Sequence, residues 1–280
     1  MKDSNTILET NRHGQSIWLD YIDRGLIRSG ELEHMIDDQG LTGMTSNPTI
    51  FEKSISGSDQ YDDQIKDLIA RGKGNEEIFY SLALDDVGAA ADLFKRVFDR
   101  HPGPSGDGFV SIEVSPKLAK DTAGSIQQGE LLWSLAGRQN VMIKVPATAE
   151  GIPAIRQLTS EGVNVNITLL FGLKRYEEVI DAYLSGLEAR VAKGLPVAEI
   201  YSVASFFLSR VDVLLDPQFE KKGFTDLKGK VAIALAKKAY TLYKEAFVTG
   251  DRFEKLAAKG ARRQRLLWAS TSTKDPSYPD

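Results

Sequence analysis

The segment Val141-Met142-Ile143-Lys144-Val145-Pro146 is a short, β-branched run broken by a single cation. Ala147-Thr148-Ala149-Glu150-Gly151 follows it as a turn, and the apolar residues from Gly151 to Glu161 recur at helical spacing. Strand, turn and helix in immediate succession predict one βα unit. Lys144 inside such a strand has three fates. It reaches solvent along its aliphatic stem, pairs with a buried carboxylate, or gives up its proton and works as a nucleophile. Desolvation disfavours an ammonium, and a neutral lysine amine attacks carbonyls to form a Schiff base.

The same alternation recurs on either side. Strand-like runs cover Ser16 to Ile22, Leu41 to Ser46, Phe109 to Ser115, Val163 to Leu170, Tyr201 to Leu208 and Leu266 to Ser270. Amphipathic stretches lie between them at Glu76 to Asp99, Pro116 to Arg138, Gly151 to Glu161, Leu173 to Lys193 and Lys228 to Val248. Strands alternating with helices predict an α/β fold with a parallel sheet. Asp216 to Thr225 reads as a loop-like excursion after the sixth strand, and no linker or repeat divides the chain, so residues 1–280 are expected to form one α/β-barrel domain. A (β/α)8 TIM barrel has one strand more than the seven runs, so the eighth strand is expected beyond Asp280.

Composition narrows the function classes. The chain has no cysteine, which removes disulfides, thiol nucleophiles and thiolate metal sites. Met1 to Arg12 is polar, and no run approaches the ~20 apolar residues of a membrane span, so a cytoplasmic protein is expected. With 35 Lys and Arg against 39 Asp and Glu, the formal charge is −4. No basic field is available for nucleic acid or membrane, and phosphate recognition must come from a few placed residues. His13, His34 and His101 fall outside every strand and make no metal spacing or triad. No Gly-rich dinucleotide or phosphate-cradling loop is present, so no cofactor is expected. Asn166-Ile167-Thr168 matches a glycosylation sequon, but in a buried strand of a cytoplasmic protein this is a chance match.

Side chains alternate across a strand, so one face can be followed by parity. In step with Lys144 stand Met142, then Ser111, Glu113 and Ser115, then Asn164, Asn166 and Thr168, then Val203, Ser205 and Phe207, and Trp268, Ser270 and Ser272. Each polar residue alone is explained by a bond to the following turn. Five runs sharing the feature near their C-terminal ends, where barrel enzymes bind substrates, point to a common polar pocket. Glu113 is either an exposed edge charge or an inward carboxylate that exchanges protons with Thr168 and a trapped water. Asp20, alone in Ile17-Trp18-Leu19-Asp20-Tyr21, is either a helix N-cap or a second inward carboxylate. Thr45-Ser46-Asn47-Pro48-Thr49 reads first as a turn and capping signal.

These motifs, in order, resemble those of the transaldolases, Schiff-base aldolase-type barrels. They are Ser-Ile-Trp-Leu-Asp20, Thr-Ser-Asn47-Pro-Thr-Ile-Phe-Glu-Lys, Ser-Ile-Glu113-Val-Ser-Pro, Ile-Lys144-Val-Pro-Ala-Thr, Asn-Val-Asn166-Ile-Thr168-Leu-Leu-Phe, Ser205-Phe-Phe-Leu-Ser-Arg210 and Trp-Ala-Ser270-Thr. The second resembles the longer bacterial branch, which also occurs fused to a glucose-6-phosphate isomerase domain, and a chain ending at Asp280 suits a truncated member or part of such a fusion.

The resemblance implies transfer of a dihydroxyacetone unit from fructose 6-phosphate or sedoheptulose 7-phosphate to an aldose phosphate, in the pentose phosphate pathway. It implies that Lys144 forms the Schiff base, that Glu113 and a water held by Thr168 carry protons, and that Asp20 takes the proton of the C4 hydroxyl. It further implies that Asn47, Asn166 and Ser205 hold substrate hydroxyls, with Phe207 lining the site, and that Arg210 and Ser270 bind phosphate. One departure is Ser272, where relatives often carry arginine; Lys274 is the candidate replacement, without the arginine fork. The alternatives are a fructose-6-phosphate aldolase that releases free dihydroxyacetone, and a non-catalytic sugar-phosphate-binding barrel. Glu113 and Phe207 favour transaldolase, because the aldolase relatives typically carry glutamine and tyrosine there.

Overall fold

The computed structural model describes residues 5–100, 106–272, 274, 275 and 278; His101 lies outside them. The chain forms two compact units, Met1–Pro116 with Gln127–Lys144, and Lys117–Ile126 with Val145–Asp280. The elements up to the fourth strand are α1 (Thr6–Arg12), β1 (Trp18–Asp20), α2 (Arg24–Arg28), α3 (Glu31–Asp37), β2 (Gly43–Thr45), α4 (Pro48–Ser56), α5 (Asp62–Ala70), α6 (Asn75–Arg100), β3 (Phe109–Glu113), α7 (Thr122–Ala136) and β4 (Val141–Pro146). They are followed by α8 (Gly151–Glu161), β5 (Val165–Leu170), α9 (Leu173–Ala192), β6 (Ser202–Phe207), α10 (Ser209–Lys222), α11 (Val231–Phe247), α12 (Asp251–Ala257) and β7 (Arg265–Ala269).

All seven strand-like runs are strands, and the fold is α/β. The strands are parallel and follow chain order, β1-β2-β3 and β4 through Lys144 in the first unit, and β5-β6-β7 in the second. Every residue of β4 and β6 is buried, as expected of parallel strands covered on both faces. The first two strands are shorter than their apolar runs because capping residues turn the chain early. Asp23 accepts from Leu26 N at 3.1 Å to start α2, and Asn47 accepts from Ile50 N at 3.0 Å to start α4 with Pro48 in its first turn.

The long helix α6 packs its apolar stripe, including Leu82, Val87, Ala90 and Phe94, against β3. The approach is close where β3 begins. A Cβ on Gly108 would lie 2.4 Å from Phe98 N and 2.8 Å from Phe94 O, and its φ of +84° independently favours glycine. Asn140 locks the junction by donating to Ala91 O at 2.8 Å and Gly108 O at 2.9 Å. In the second unit Gly186 lets α9 lie against α8, since a Cβ there would meet Arg156 O at 2.7 Å.

Two expectations are corrected. Pro116 to Arg138 is not one helix: a 3-10 turn at Pro116–Leu118 precedes α7. The excursion Asp216 to Thr225 is not a loop, because α10 runs through Pro217 to Lys222 and ends at Gly223, whose φ is +77°. Pro217 removes the N–H that would bond the carbonyl of Val213, a residue on the exposed side of the helix. Asp212 and Asp216, both buried, accept from Ala232 N and Gly229 N and anchor α10 to the start of α11.

Candidate active site

In the first unit the polar residues meet at the C-terminal ends of β1 to β4. The register pairs Glu113 with Lys144 on neighbouring strands, so their side chains leave the sheet together. Lys144 is 6% exposed, which rules out the solvent-reaching fate. Its Nζ donates to Ser46 O at 3.0 Å and lies 3.6 Å from Glu113 Oε2. An ammonium has three protons to place, and among the described residues these two oxygens are what it meets.

The side chain of Glu113 is 12% exposed, so it is no edge charge. Burial lifts its carboxyl above the usual carboxylate range; Lys144 pulls the other way, and the charge of Asp20 adds to the lift. Asp20 is not a helix cap, a task that falls to Asp23. Its Oδ1 accepts from Thr45 Oγ1 at 2.6 Å, across the register pair of β1 and β2. Asn47 does cap α4 through Oδ1, which leaves its amide NH2 free to donate in another direction.

In the second unit Asn166 and Ser205 are buried on adjacent strands, and Ser205 Oγ donates to Asn166 Oδ1 at 2.7 Å. Thr168 Oγ1 is buried with no hydrogen-bond partner among the described residues. Directly after it β5 is irregular: the register with β6 shifts between Ile167 and Leu170, and Leu169 takes a φ of +59°. Phe207 packs against Phe171 with ring centroids 5.2 Å apart and planes tilted by 39°, and the guanidinium of Arg210 lies 4.9 Å from the centre of the Phe207 ring. Ser270, at φ +55°, follows β7 and meets the start of α10: its carbonyl accepts from Ser209 N at 2.9 Å, and its hydroxyl lies 2.8 Å from Ser209 Oγ. Arg210 is exposed in the first turn of this fourteen-residue helix and follows Ser209 in sequence; a guanidinium at a helix N-terminus suits an anion. Lys274 is exposed and donates to the hydroxyl of Ser272.

Three polar contacts were not read from sequence: the carbonyl of Ser46, the hydroxyl of Thr45 and the hydroxyl of Ser209. Thr45 and Ser46 fall inside the cluster read as a turn. Ser209 stands next to Arg210 but carries no charge to single it out.

A buried lysine amine with an acid at its side is the equipment of enzymes that work on carbonyl compounds through that amine. The chain belongs to the Transaldolase/Fructose-6-phosphate aldolase family, whose sequence model matches residues 17–280. It is 48% identical to the transaldolase of Trichodesmium erythraeum over 288 aligned positions, covering 99% of this chain and 75% of the relative. It is 49% identical to the transaldolase of Acidothermus cellulolyticus over 279 positions, covering 99% and 74%. Membership makes the chain an enzyme of the transferase class, acting in sugar-phosphate metabolism.

Proposed function

We propose that the protein is a transaldolase that moves a dihydroxyacetone unit from a ketose phosphate to an aldose phosphate through a Schiff base on Lys144, in the pentose phosphate pathway. The observation that carries this reading is the buried Lys144 with Glu113 at 3.6 Å. Lys144 adds to the C2 carbonyl of fructose 6-phosphate or sedoheptulose 7-phosphate, and the carbinolamine loses water to become an imine. The raised carboxyl of Glu113 suits it to protonate the departing hydroxyl and to take the proton back on hydrolysis. A water on the unpartnered hydroxyl of Thr168 completes that relay.

Asp20 then removes the proton of the C4 hydroxyl. The C3–C4 bond breaks, its electron pair runs into the imine, and an aldose phosphate departs, leaving an enamine on Lys144. The enamine attacks the aldehyde of the acceptor, Asp20 returns its proton, and hydrolysis frees the new ketose. Asn47, Asn166 and Ser205 hold the hydroxyls of the three-carbon unit, and Phe207 lines its site. Arg210 and Ser270 hold the phosphate, with Lys274 as the further cation. A (β/α)8 barrel formed as one domain is the architecture proposed to bring these residues to one substrate.

The test is the dependence on acceptor. Fructose 6-phosphate with an added aldose phosphate gives a new ketose phosphate, and without acceptor little free dihydroxyacetone appears. Equal dihydroxyacetone release with and without acceptor would instead assign the aldolase activity.

A further inference from the structure

The pairing of β2 with β3 runs only from Gly43↔Phe109 to Met44↔Val110, because Asn47 and Pro48 turn the chain into α4. β3 continues beside β4 for three residues more, to the register pair Glu113↔Lys144. On the edge that β2 has left, two hydroxyls hold alternate carbonyls of β3. Ser46 Oγ donates to Ser111 O at 2.6 Å, and Tyr80 Oη, from α6, donates to Glu113 O at 3.2 Å. Tyr80 Oη also lies 3.5 Å from Gln128 Oε1 on α7, and that oxygen accepts from Ser115 N at 2.5 Å. Gln128 is steadied in turn by Glu76, to which its Nε2 donates at 3.3 Å. Between Glu113 and Ser115, Val114 N donates to Lys144 O at 3.1 Å.

The two peptide groups directly after Glu113, 113–114 and 114–115, are therefore held, as is the 111–112 group before it, and the residue between them is Glu113. A strand end released from its neighbour would otherwise let this side chain wander by more than the tolerance of a proton transfer. Burial, together with the charges of Glu76 and Glu113, keeps the Tyr80 phenol protonated, so it stays a donor.

We propose that Tyr80, assisted by Gln128, is a positioning residue of the reaction: it holds the main chain of Glu113 so that the carboxyl faces Lys144. The proposal rests on the reading of Glu113 and Lys144 as the proton-transfer and Schiff-base pair.

The experiment compares Tyr80→Phe, Gln128→Leu, Glu113→Gln and the double variant Tyr80→Phe/Glu113→Gln, measuring kcat, KM and the pH dependence of kcat/KM. Tyr80→Phe is expected to lower kcat about 10- to 100-fold, to leave donor KM within about twofold and to shift the limb of the pH profile that Glu113 supplies. In the Glu113→Gln background the same substitution is expected to have no further effect on kcat, since the group being positioned is gone. Gln128→Leu reaches the same outcome by the second contact and stands in if Tyr80→Phe folds poorly. Unchanged kcat and pH profile in Tyr80→Phe, or an equal loss in both backgrounds, would overturn the proposal. Wild-type kcat in Glu113→Gln would overturn the underlying reading of Glu113, a separate outcome.

Discussion

Replacing Glu113 by glutamine keeps the shape of the side chain and removes the charge 3.6 Å from Lys144. At that separation the attraction is about 5 kcal/mol for an effective dielectric near 20. Burial opposes it, and the upward displacement of the Glu113 carboxyl means that desolvation outweighs the attraction. The glutamine amide keeps an oxygen that can accept from Lys144 while removing a carboxylate whose own desolvation opposes folding, so Glu113→Gln is expected to change stability by about 1 kcal/mol or less. For a chain of this size that is a Tm shift of about 2–4 °C. The pH dependence has a definite sign. A carboxyl raised by folding lends stability below its ordinary value near about 4.3, and that contribution is lost as pH rises through the raised value. The Tm of the variant relative to wild type should therefore climb as pH rises from the ordinary carboxylate range through that raised value. Activity should behave differently, because a lost general acid lowers kcat by about 100-fold or more. Thermal melts and steady-state kinetics with fructose 6-phosphate and an aldose phosphate acceptor read both quantities. A kcat within about threefold of wild type would refute the role of Glu113. A fall in Tm beyond about 10 °C would show that the carboxylate supports the fold.

Further outcomes concern groups in other parts of the chain as well as one ring beside Phe207. Asp86 is buried and bonds both Arg24 Nε at 2.7 Å and Tyr61 Oη at 2.8 Å, so Asp86→Ala strands a buried guanidinium and should cost about 3–5 kcal/mol in urea denaturation. By contrast Arg252 pairs with Glu188 and Asp181 at the surface, and Arg252→Ala should cost about 1 kcal/mol or less, with the difference shrinking in high salt. Phe171→Ala removes the ring that backs Phe207 beneath Arg210, and should raise KM for the phosphorylated donor about three- to tenfold with kcat little changed. Kinetics with unphosphorylated fructose should not register that substitution; an equal effect on both sugars would detach Phe171 from phosphate binding.

The strands were legible because parallel strands are buried on both faces and read as apolar runs, which is why Val141–Pro146 and Ser202–Phe207 stand out. Lys144 and Glu113 were legible for the complementary reason: a lone charge in such a run must be accounted for. Helix α10 was hidden by Pro217 and by a polar composition, since the contacts that hold it are made by Asp212 and Asp216 to main-chain N–H groups of a later segment. The carbonyl of Ser46 that receives Lys144 is equally invisible in sequence, because every residue but its geometry offers the same acceptor. Tyr80 read only as part of the amphipathic helix α6, and its link to Glu113 exists because β2 ends before β3 does, a consequence of chain lengths at two distant places.

The central claim is the covalent role of Lys144, and borohydride trapping with fructose 6-phosphate followed by peptide mass mapping tests it directly. A reduced dihydroxyacetone adduct on the peptide carrying Lys144, absent from Lys144→Ala, is the expected result. An adduct on another lysine, or none in the wild-type chain while ketose transfer proceeds, would contradict it.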